Sequence, residues 1–375
     1  MAKTKKEAAP EPVRLDPRAL AAMVAKELKL ADDVLVLGED LKHREVGRVS
    51  TGILALDVAL GGGLPLNQWA EFLGHESSGK TALALKIVAY QQARDPEWFG
   101  VWVAAESLEE EYATSLGVDL ERLLVVDTNS MEEAYDVVLN LAEKQAFDGV
   151  VIDSLPALIP TGEYEGQMED SGGMAQAARL NGKFFRKMGA DGNRSLVHDE
   201  RPWIGILINQ WRSKVGVMFG DPRTTPGGVA KNYACYTRLE TRRDEWLDNG
   251  LKKSDPQHAT VGQTIVAKIM KNKAGPPGRE ASFDFYFAPY EDFDLGDIDR
   301  IKDVFNTAAM LGVLSREGNS FYFLDERVGP NRPATIRALE QDPELLDRVT
   351  EEVRAHVQRK SGEKPEEKRV LRRKS

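Results

Sequence analysis

The segment Gly74-His75-Glu76-Ser77-Ser78-Gly79-Lys80-Thr81 fits the pattern G-x-x-x-x-G-K-[ST], a loop that holds nucleotide phosphates. Its backbone N–H groups, followed by a helix N-terminus, can converge on an anion. Lys80 can reach the β- and γ-phosphates, and the Thr81 hydroxyl can ligate Mg²⁺. Three further candidates stand at the ends of apolar runs. Asp153 ends Val150-Val-Ile152, where a carboxylate would support the metal's coordination shell. Glu106 ends Val101-Trp-Val-Ala-Ala105 and could orient and deprotonate an attacking water. By itself it is equally a solvated loop acid beside Glu109, Glu110 and Glu111. Gln210 ends Ile206-Leu-Ile-Asn209, and an amide there can hydrogen-bond a γ-phosphate and report it to the loop that follows. That loop, Trp211 to Asn232, is long and Gly-rich and sets Arg212, Lys214, Arg223 and Lys231 against Asp221. A long basic loop in this position suits a ligand-gated contact surface.

These groups need elements to hold them. Trp69-Ala-Glu-Phe-Leu73 predicts a buried strand before the phosphate loop, and Ala82 to Gln91 a helix after it. Phe99 to Ala105, Gly149 to Asp153 and Trp203 to Gln210 read as strands, and Met131 to Gln145 as a helix. Val261 to Lys271 and Ala281 to Phe287 read as a later strand pair. This alternation over 47–287 predicts an α/β fold with a mostly parallel central sheet. Asn232 to Leu239 reads as one more strand, with Cys235 as a buried structural thiol. From Leu295 the period turns helical. Ile298 to Leu314, a short strand Ser320 to Leu324 and a mainly helical Pro333 to Val357 make a small α+β C-terminal domain over 288–358. Ahead of the core, 14–31 predicts an amphipathic helix carrying Leu20, Met23, Val24, Leu28 and Leu30, and Val34 to Leu37 a strand. Residues 14–46 are expected either to pack on the chain's own core or to link protomers. Residues 1–13 read as a polar flexible tail rather than a signal peptide, and 359–375 as a charged flexible tail.

A chain of 375 residues with 42% hydrophobic content can bury a large core and hold two or three domains. One cysteine excludes internal disulfides and fits a reducing, cytoplasmic compartment. No run of 18 apolar residues is present, so no membrane span is expected. The net charge of −10 argues against a generally basic nucleic-acid surface, so any DNA site must gather basic residues on particular loops.

Several segments together resemble the bacterial RecA recombinase family, phage-encoded members included. They are STGILALDVALGGGLP (50–65), GHESSGKT (74–81), YATSLGVDLERLLV (112–125), VVIDSLPALIP (150–160), EGQMEDSGGMAQAARL (165–180), INQWRSKVGVMFGDPRTTPGG (208–228), KIMKNKAGPP (268–277) and ATIRALEQDPELLDRVTEEVR (334–354). The INQ strand joined to the K-x-G-V-M-F-G loop separates this family from P-loop proteins in general. The resemblance implies a RecA-type core, an N-terminal protomer-linking arm and a small C-terminal domain. It implies a DNA-dependent ATPase that forms helical filaments on single-stranded DNA, pairs with duplex DNA and catalyses strand exchange in recombination and repair. By position it assigns ATP phosphates to 74–81, Mg²⁺ to Thr81 and Asp153, the general base to Glu106, the γ-phosphate sensor to Gln210 and adenine stacking to Tyr112. Lys271 and Lys273 would reach the neighbouring protomer's nucleotide; read alone, they are solvated strand-end lysines. The DNA loops would be 162–174 and 211–229, with Met174, Arg179 and Arg186 at or after the first, and Arg212, Lys214, Met218, Phe219, Arg223, Gly227 and Gly228 in the second. Basic groups there would contact phosphates, and the apolar ones would wedge between base steps.

The chain departs from the family pattern in five places. The Glu106–Tyr112 segment is shorter than in common members, His75 stands in place of a proline, 190–201 reads as an insertion, Arg223 replaces an acid, and the C-terminal tail is basic where an acidic one is common. That tail is expected to add DNA affinity. Two rival readings are a hexameric RecA-core helicase and a passive filament that binds ATP but barely hydrolyses it. The arm and C-terminal domain oppose the first; Glu106, Lys271 and Lys273 oppose the second.

Overall fold

The computed structural model describes residues 16–30, 35, 37, 46–164, 173–195, 201–213, 222–273 and 275–362. Residues 1–46 and 47–375 form separate units. In the first, α1 (Pro17–Leu28) starts under an Asp16 cap that accepts from the Arg18 and Ala19 N–H groups at 3.1 and 3.3 Å. Proline at its first position suits a helix start, because the missing N–H has no intrahelical partner there. The predicted strand 34–37 falls at positions of which 34 and 36 lie outside the described residues.

In the second unit, β1 (Arg48–Val49) and β2 (Leu64–Pro65) pair antiparallel around α2 (Leu54–Leu60). The core then runs β3 (Gln68–Leu73), α3 (Lys80–Arg94), β4 (Gly100–Ala104), α4 (Glu110–Ser115), β5 (Leu123–Val126), α5 (Met131–Glu143) and β6 (Gly149–Asp153). It continues with α6 (Thr161–Tyr164), α7 (Gly173–Ser195), β7 (Ile204–Ile208), β8 (Arg212–Ser213), β9 (Arg223–Thr224) and α8 (Gly228–Ala234). The long strands β10 (Thr237–Asp248), β11 (Thr260–Asn272) and β12 (Glu280–Tyr286) close it. One eight-stranded sheet has the order β12-β11-β10-β3-β7-β6-β4-β5. The run from β10 to β5 is parallel, and β11 and β12 add antiparallel at one edge.

Both faces of this sheet are covered, which explains why its strands are continuous apolar runs rather than alternating ones. On β4, Trp102 and Ala104 enter one core with α2 and α3 residues such as Leu56, Leu83 and Ile87. Val101 and Val103 enter the other, with Met131, Val138, Phe184 and Phe185 of α5 and α7. A third core joins Leu54 and Val58 of α2 to α9 (Arg300–Leu311), β14 (Ser320–Phe323), α10 (Arg332–Gln341) and α11 (Pro343–Gly362) through Phe305, Phe321, Leu339 and Val353, with Val328 of β15 (Glu326–Gly329) packed against it and the exposed β13 (Ser315–Glu317) pairing with β14. The C-terminal elements thus share a core with α2. The Asp303 carboxylate fixes the join by accepting from the Leu54 and Ala55 N–H groups at 2.7 and 3.0 Å.

One reading changes. The segment from Asn232 is not strand throughout: α8 continues to Ala234, and β10 begins only at Thr237. Burial of Lys231 beside Glu71 turns the inner face of this segment into a helix face and leaves Val229 and Tyr233, one turn apart, exposed. Cys235 is fully buried as expected, and burial raises its thiol to about 12. The insertion at 190–201 begins as a continuation of α7 to Ser195, with 196–200 outside the described residues. At its last residue, Arg201 binds both oxygens of Asp148 at 2.6 Å.

Candidate functional site

The phosphate loop follows β3 at the C-terminal edge of the parallel strands, where open α/β sheets place ligands. Gly79 has φ 86°, a left-handed conformation that a side chain would strain, and α3 begins at the next residue with no side-chain cap. The N–H groups of the first turn therefore remain for an anion. Lys80 folds over the loop, its Nζ donating to the Gly74 and His75 carbonyls at 3.2 and 2.7 Å. Burial draws this ammonium below the ordinary lysine value, against the pull of Asp153, Glu106 and Glu76.

Asp153 ends β6, and its Oδ2 accepts from the Thr81 hydroxyl at 2.9 Å. Burial, with Glu106 acting the same way, pushes its carboxyl up to about 6. Glu106 follows β4 and accepts a short hydrogen bond from the Ser154 hydroxyl, while its own N–H donates to the Asp153 carbonyl at 3.0 Å. The shortened segment after Glu106 therefore still leaves its carboxylate beside Asp153. Two carboxylates crowded next to the phosphate loop form an acidic corner that a divalent cation would neutralise, so Thr81 and Asp153 fit Mg²⁺. Among the described residues no group of three His, Cys, Asp or Glu could hold a metal alone. The remaining ligands must be phosphate oxygens and water, the usual pattern for Mg²⁺.

A cleft of about 330 Å³ extends from Ser77–Ala82 to Tyr112, Trp246, Gln263, Phe285 and Phe287. Tyr112 lies on α4, half-buried, and burial raises its phenol. Trp246 packs edge-on to Phe287 at 6.0 Å, with the Arg243 guanidinium 3.9 Å over its ring. Gln263 is buried, and its Oε1 has no hydrogen-bond partner among the described residues. An aromatic slot with an unused amide oxygen suits a flat, amino-bearing base. The sequence pointed to Tyr112 alone. Trp246 and Gln263 lie far from it along the chain, and only the pairing of Trp246 with Gln263 across β10 and β11 brings them here.

Gln210 follows β7 on the same edge. Lys271 and Lys273 do not. Lys271 pairs with Arg238, which pairs with Glu71, three residues before the phosphate loop begins. Its Nζ donates to the Asn232 and Cys235 carbonyls, both at 2.6 Å. Lys273 sits 5.7 Å over the Tyr236 ring. At ~4.8 Å per strand, the three spacings from β11 to β7 alone put ~14 Å between Lys271 and Gln210. Lys271 thus stands two strands away from β3, with its Nζ held on backbone carbonyls.

Of the first loop, 165–172 and the Met174 side chain lie outside the described residues. Arg179 and Arg186 are exposed on α7, opposite buried Phe184, Phe185 and Met188. Lys183 stands between them on the same face and was missed, although its spacing of four and three residues was readable. In the second loop, β8 and β9 pair as a two-residue ladder, Arg212 opposite Thr224 and Ser213 opposite Arg223. Residues 214–221, with Lys214, Met218 and Phe219, lie outside the described residues. Arg212 is exposed. Arg223 binds Glu240 at 3.0 Å and stacks 4.6 Å over Trp211, whose Nε1 donates to the same carboxylate at 2.8 Å. Glu240 thus clamps the stem. Gly227 (φ 95°) and Gly228 (φ 74°) end the loop at the start of α8.

A parallel sheet with a phosphate loop, a metal-supporting aspartate and a second acid at neighbouring strand ends defines a P-loop nucleoside triphosphatase. Residues 19–290 match the family model described as RecA N-terminal domain. The chain is 38% identical over 316 residues to the protein named Protein RecA of Rubrobacter xylanophilus, covering 84% of this chain and 85% of that one. It is 38% identical over 332 residues to Protein RecA of Thermus thermophilus, covering 88% and 90%. The chain belongs to the RecA family, the DNA-dependent ATPases that carry out strand exchange in homologous recombination. No helix among the described residues is long and apolar enough to cross a membrane.

Proposed function

We propose that this chain hydrolyses ATP with Mg²⁺ at an interface between successive protomers of a cytoplasmic filament on single-stranded DNA, and uses the cycle to pair that strand with duplex DNA. The observation that supports the reading is that Lys271 is held on the Asn232 and Cys235 carbonyls, two strands from β3, while Thr81, Asp153 and Glu106 gather beside the phosphate loop. Residues 74–81 bind the phosphates, and Lys80 leaves its two carbonyl partners for phosphate oxygens. Thr81 and Asp153 hold Mg²⁺, which would neutralise phosphate charge. Glu106, oriented by Ser154, accepts the proton of the attacking water. Tyr112 stacks on adenine, and Gln210 contacts the γ-phosphate. The lysines of the next protomer complete the site as an arginine finger does.

The unit 14–46 serves as the protomer-linking arm, 47–287 as the catalytic core and 288–358 as the C-terminal domain. Arg179, Arg186, Arg212 and Lys214 contact DNA phosphates, while Met218 and Phe219 wedge between bases. Contact at Gln210 biases the loop that follows, so nucleotide state sets DNA affinity. The test is ATP hydrolysis with and without single-stranded DNA, with Lys80→Ala as control. Strong DNA stimulation that vanishes in the control is expected. Activity indifferent to DNA, or DNA binding without hydrolysis, overturns the reading.

A further inference from the structure

Glu71 lies in the middle of β3, fully buried, between β7 and β10. Three donors converge on its carboxylate. Lys231 Nζ and Asn209 Nδ2 both lie 2.7 Å from Oε1, and Arg238 Nε lies 2.5 Å from Oε2. Lys231 is itself fully buried, and its other two protons go to Thr225 Oγ1 at 2.7 Å and Asn232 Oδ1 at 2.8 Å. Asn209 also donates to the Pro226 carbonyl at 3.2 Å, and its own oxygen accepts the Gln210 N–H at 2.8 Å. Asn209 and Lys231 thus tie both ends of the second DNA loop to the same carboxylate. The loop's first residues leave through Asn209, and its last residues, Thr225 and Pro226, return to Lys231 and Asn209. Through Asn232, the cluster also adjoins the carbonyl that Lys271 grips.

A buried ion pair is a poor means of gaining stability, since apolar residues of the same shape do as well or better. Its value lies in specifying one arrangement of the groups around it. We infer that Glu71 and Lys231 are positioning residues that transmit γ-phosphate contact at Gln210 to the DNA loop, and onward to the lysine that serves the neighbouring nucleotide. A shift of Gln210 toward phosphate moves Asn209, to which its N–H is bonded. Asn209 shares Oε1 with Lys231, so the Thr225–Pro226 end of the loop must follow. Burial disfavours charge on Lys231, and Glu71 restores it, so neither partner can move without the other.

This inference rests on the reading of Gln210 as the γ-phosphate contact. The test measures single-stranded DNA affinity with and without a non-hydrolysable ATP analogue, and nucleotide affinity without DNA, for wild type, Lys231→Met and Thr225→Val. In Lys231→Met the nucleotide Kd should stay within about twofold, while the analogue-induced gain in DNA affinity shrinks ~10-fold or more. Thr225→Val, which cuts only the tie to the loop, should shrink it in the same direction. Glu71→Gln/Lys231→Met removes both charges and keeps the shape, so it carries the test should the single charge change prevent folding. A folded variant of either kind with the full wild-type gain overturns the inference. A wild type with no gain at all overturns the nucleotide-switch reading beneath it.

Discussion

If Lys271 and Lys273 serve the next protomer, two inactive proteins should restore one another. The Lys80→Ala protein lacks a working phosphate loop but offers intact lysines. The Lys271→Ala/Lys273→Ala protein has the reverse defect. Loss of a charge-neutralising finger costs ~10³-fold or more in turnover, so each alone should be nearly silent. In a head-to-tail filament each site takes its loop from one protomer and its lysines from the next. Random assembly of an equal mixture makes one interface in four intact, so about a quarter of wild-type ATPase should return. The alternative, lysines that serve the phosphate loop of their own chain, predicts no recovery at any mixing ratio. The assay is steady-state ATP hydrolysis at saturating single-stranded DNA, varying the ratio at constant total protein. Retained filament formation by the lysine variant confirms that loss of the Asn232 and Cys235 contacts has not undone the fold. Silence at every ratio, from variants that co-assemble, would refute the shared site.

Three more outcomes follow from the same geometry. Asp153 has a folded pKa of about 6 against 3.8, so its carboxylate costs stability above pH 6 and the cost disappears as pH falls toward 4. Without nucleotide, Asp153→Asn should therefore be more stable than wild type by about 3 kcal/mol at pH 7, a gain that fades at pH 4 in denaturant titrations. Tyr112→Ala should raise the ATP Kd about 10-fold, in line with ~1–3 kcal/mol for a base stacked on an aromatic ring, and an unchanged Kd would place the base elsewhere. Gly227→Ala should lower stability by about 2 kcal/mol and weaken single-stranded DNA binding. Its φ is 95°, and its new Cβ would stand 2.5 Å from Leu155 Cδ2 and 2.8 Å from Lys231 Cδ.

The central sheet was legible because buried parallel strands are continuous apolar runs. β4, β6 and β7 stand within one or two residues of where those runs predicted them. The phosphate loop was legible because it is local: spacing within eight residues decides it. Glu106, Asp153 and Gln210 could be named because each ends such a run and a parallel sheet gathers its strand ends at one edge. Groups that act through long-range pairing were not legible. Nothing near Glu71 in sequence announces a buried carboxylate with three donors, since Asn209, Lys231 and Arg238 come from far along the chain. Lys231 read as one more basic loop residue until packing set it against Glu71, and the pairing of Arg223 with Glu240 was not legible either. The helix in place of a strand at Asn232–Ala234 has the same cause, because local propensity there is weak and burial of Lys231 decides. Sequence by itself determined the phosphate chemistry and the layered α/β class, both carried by short-range spacing. Only the tertiary structure decided which charges meet, which carbonyls hold Lys271, and how both ends of the DNA loop come to share one buried carboxylate. Those facts depend on strand order and register, which no local pattern encodes.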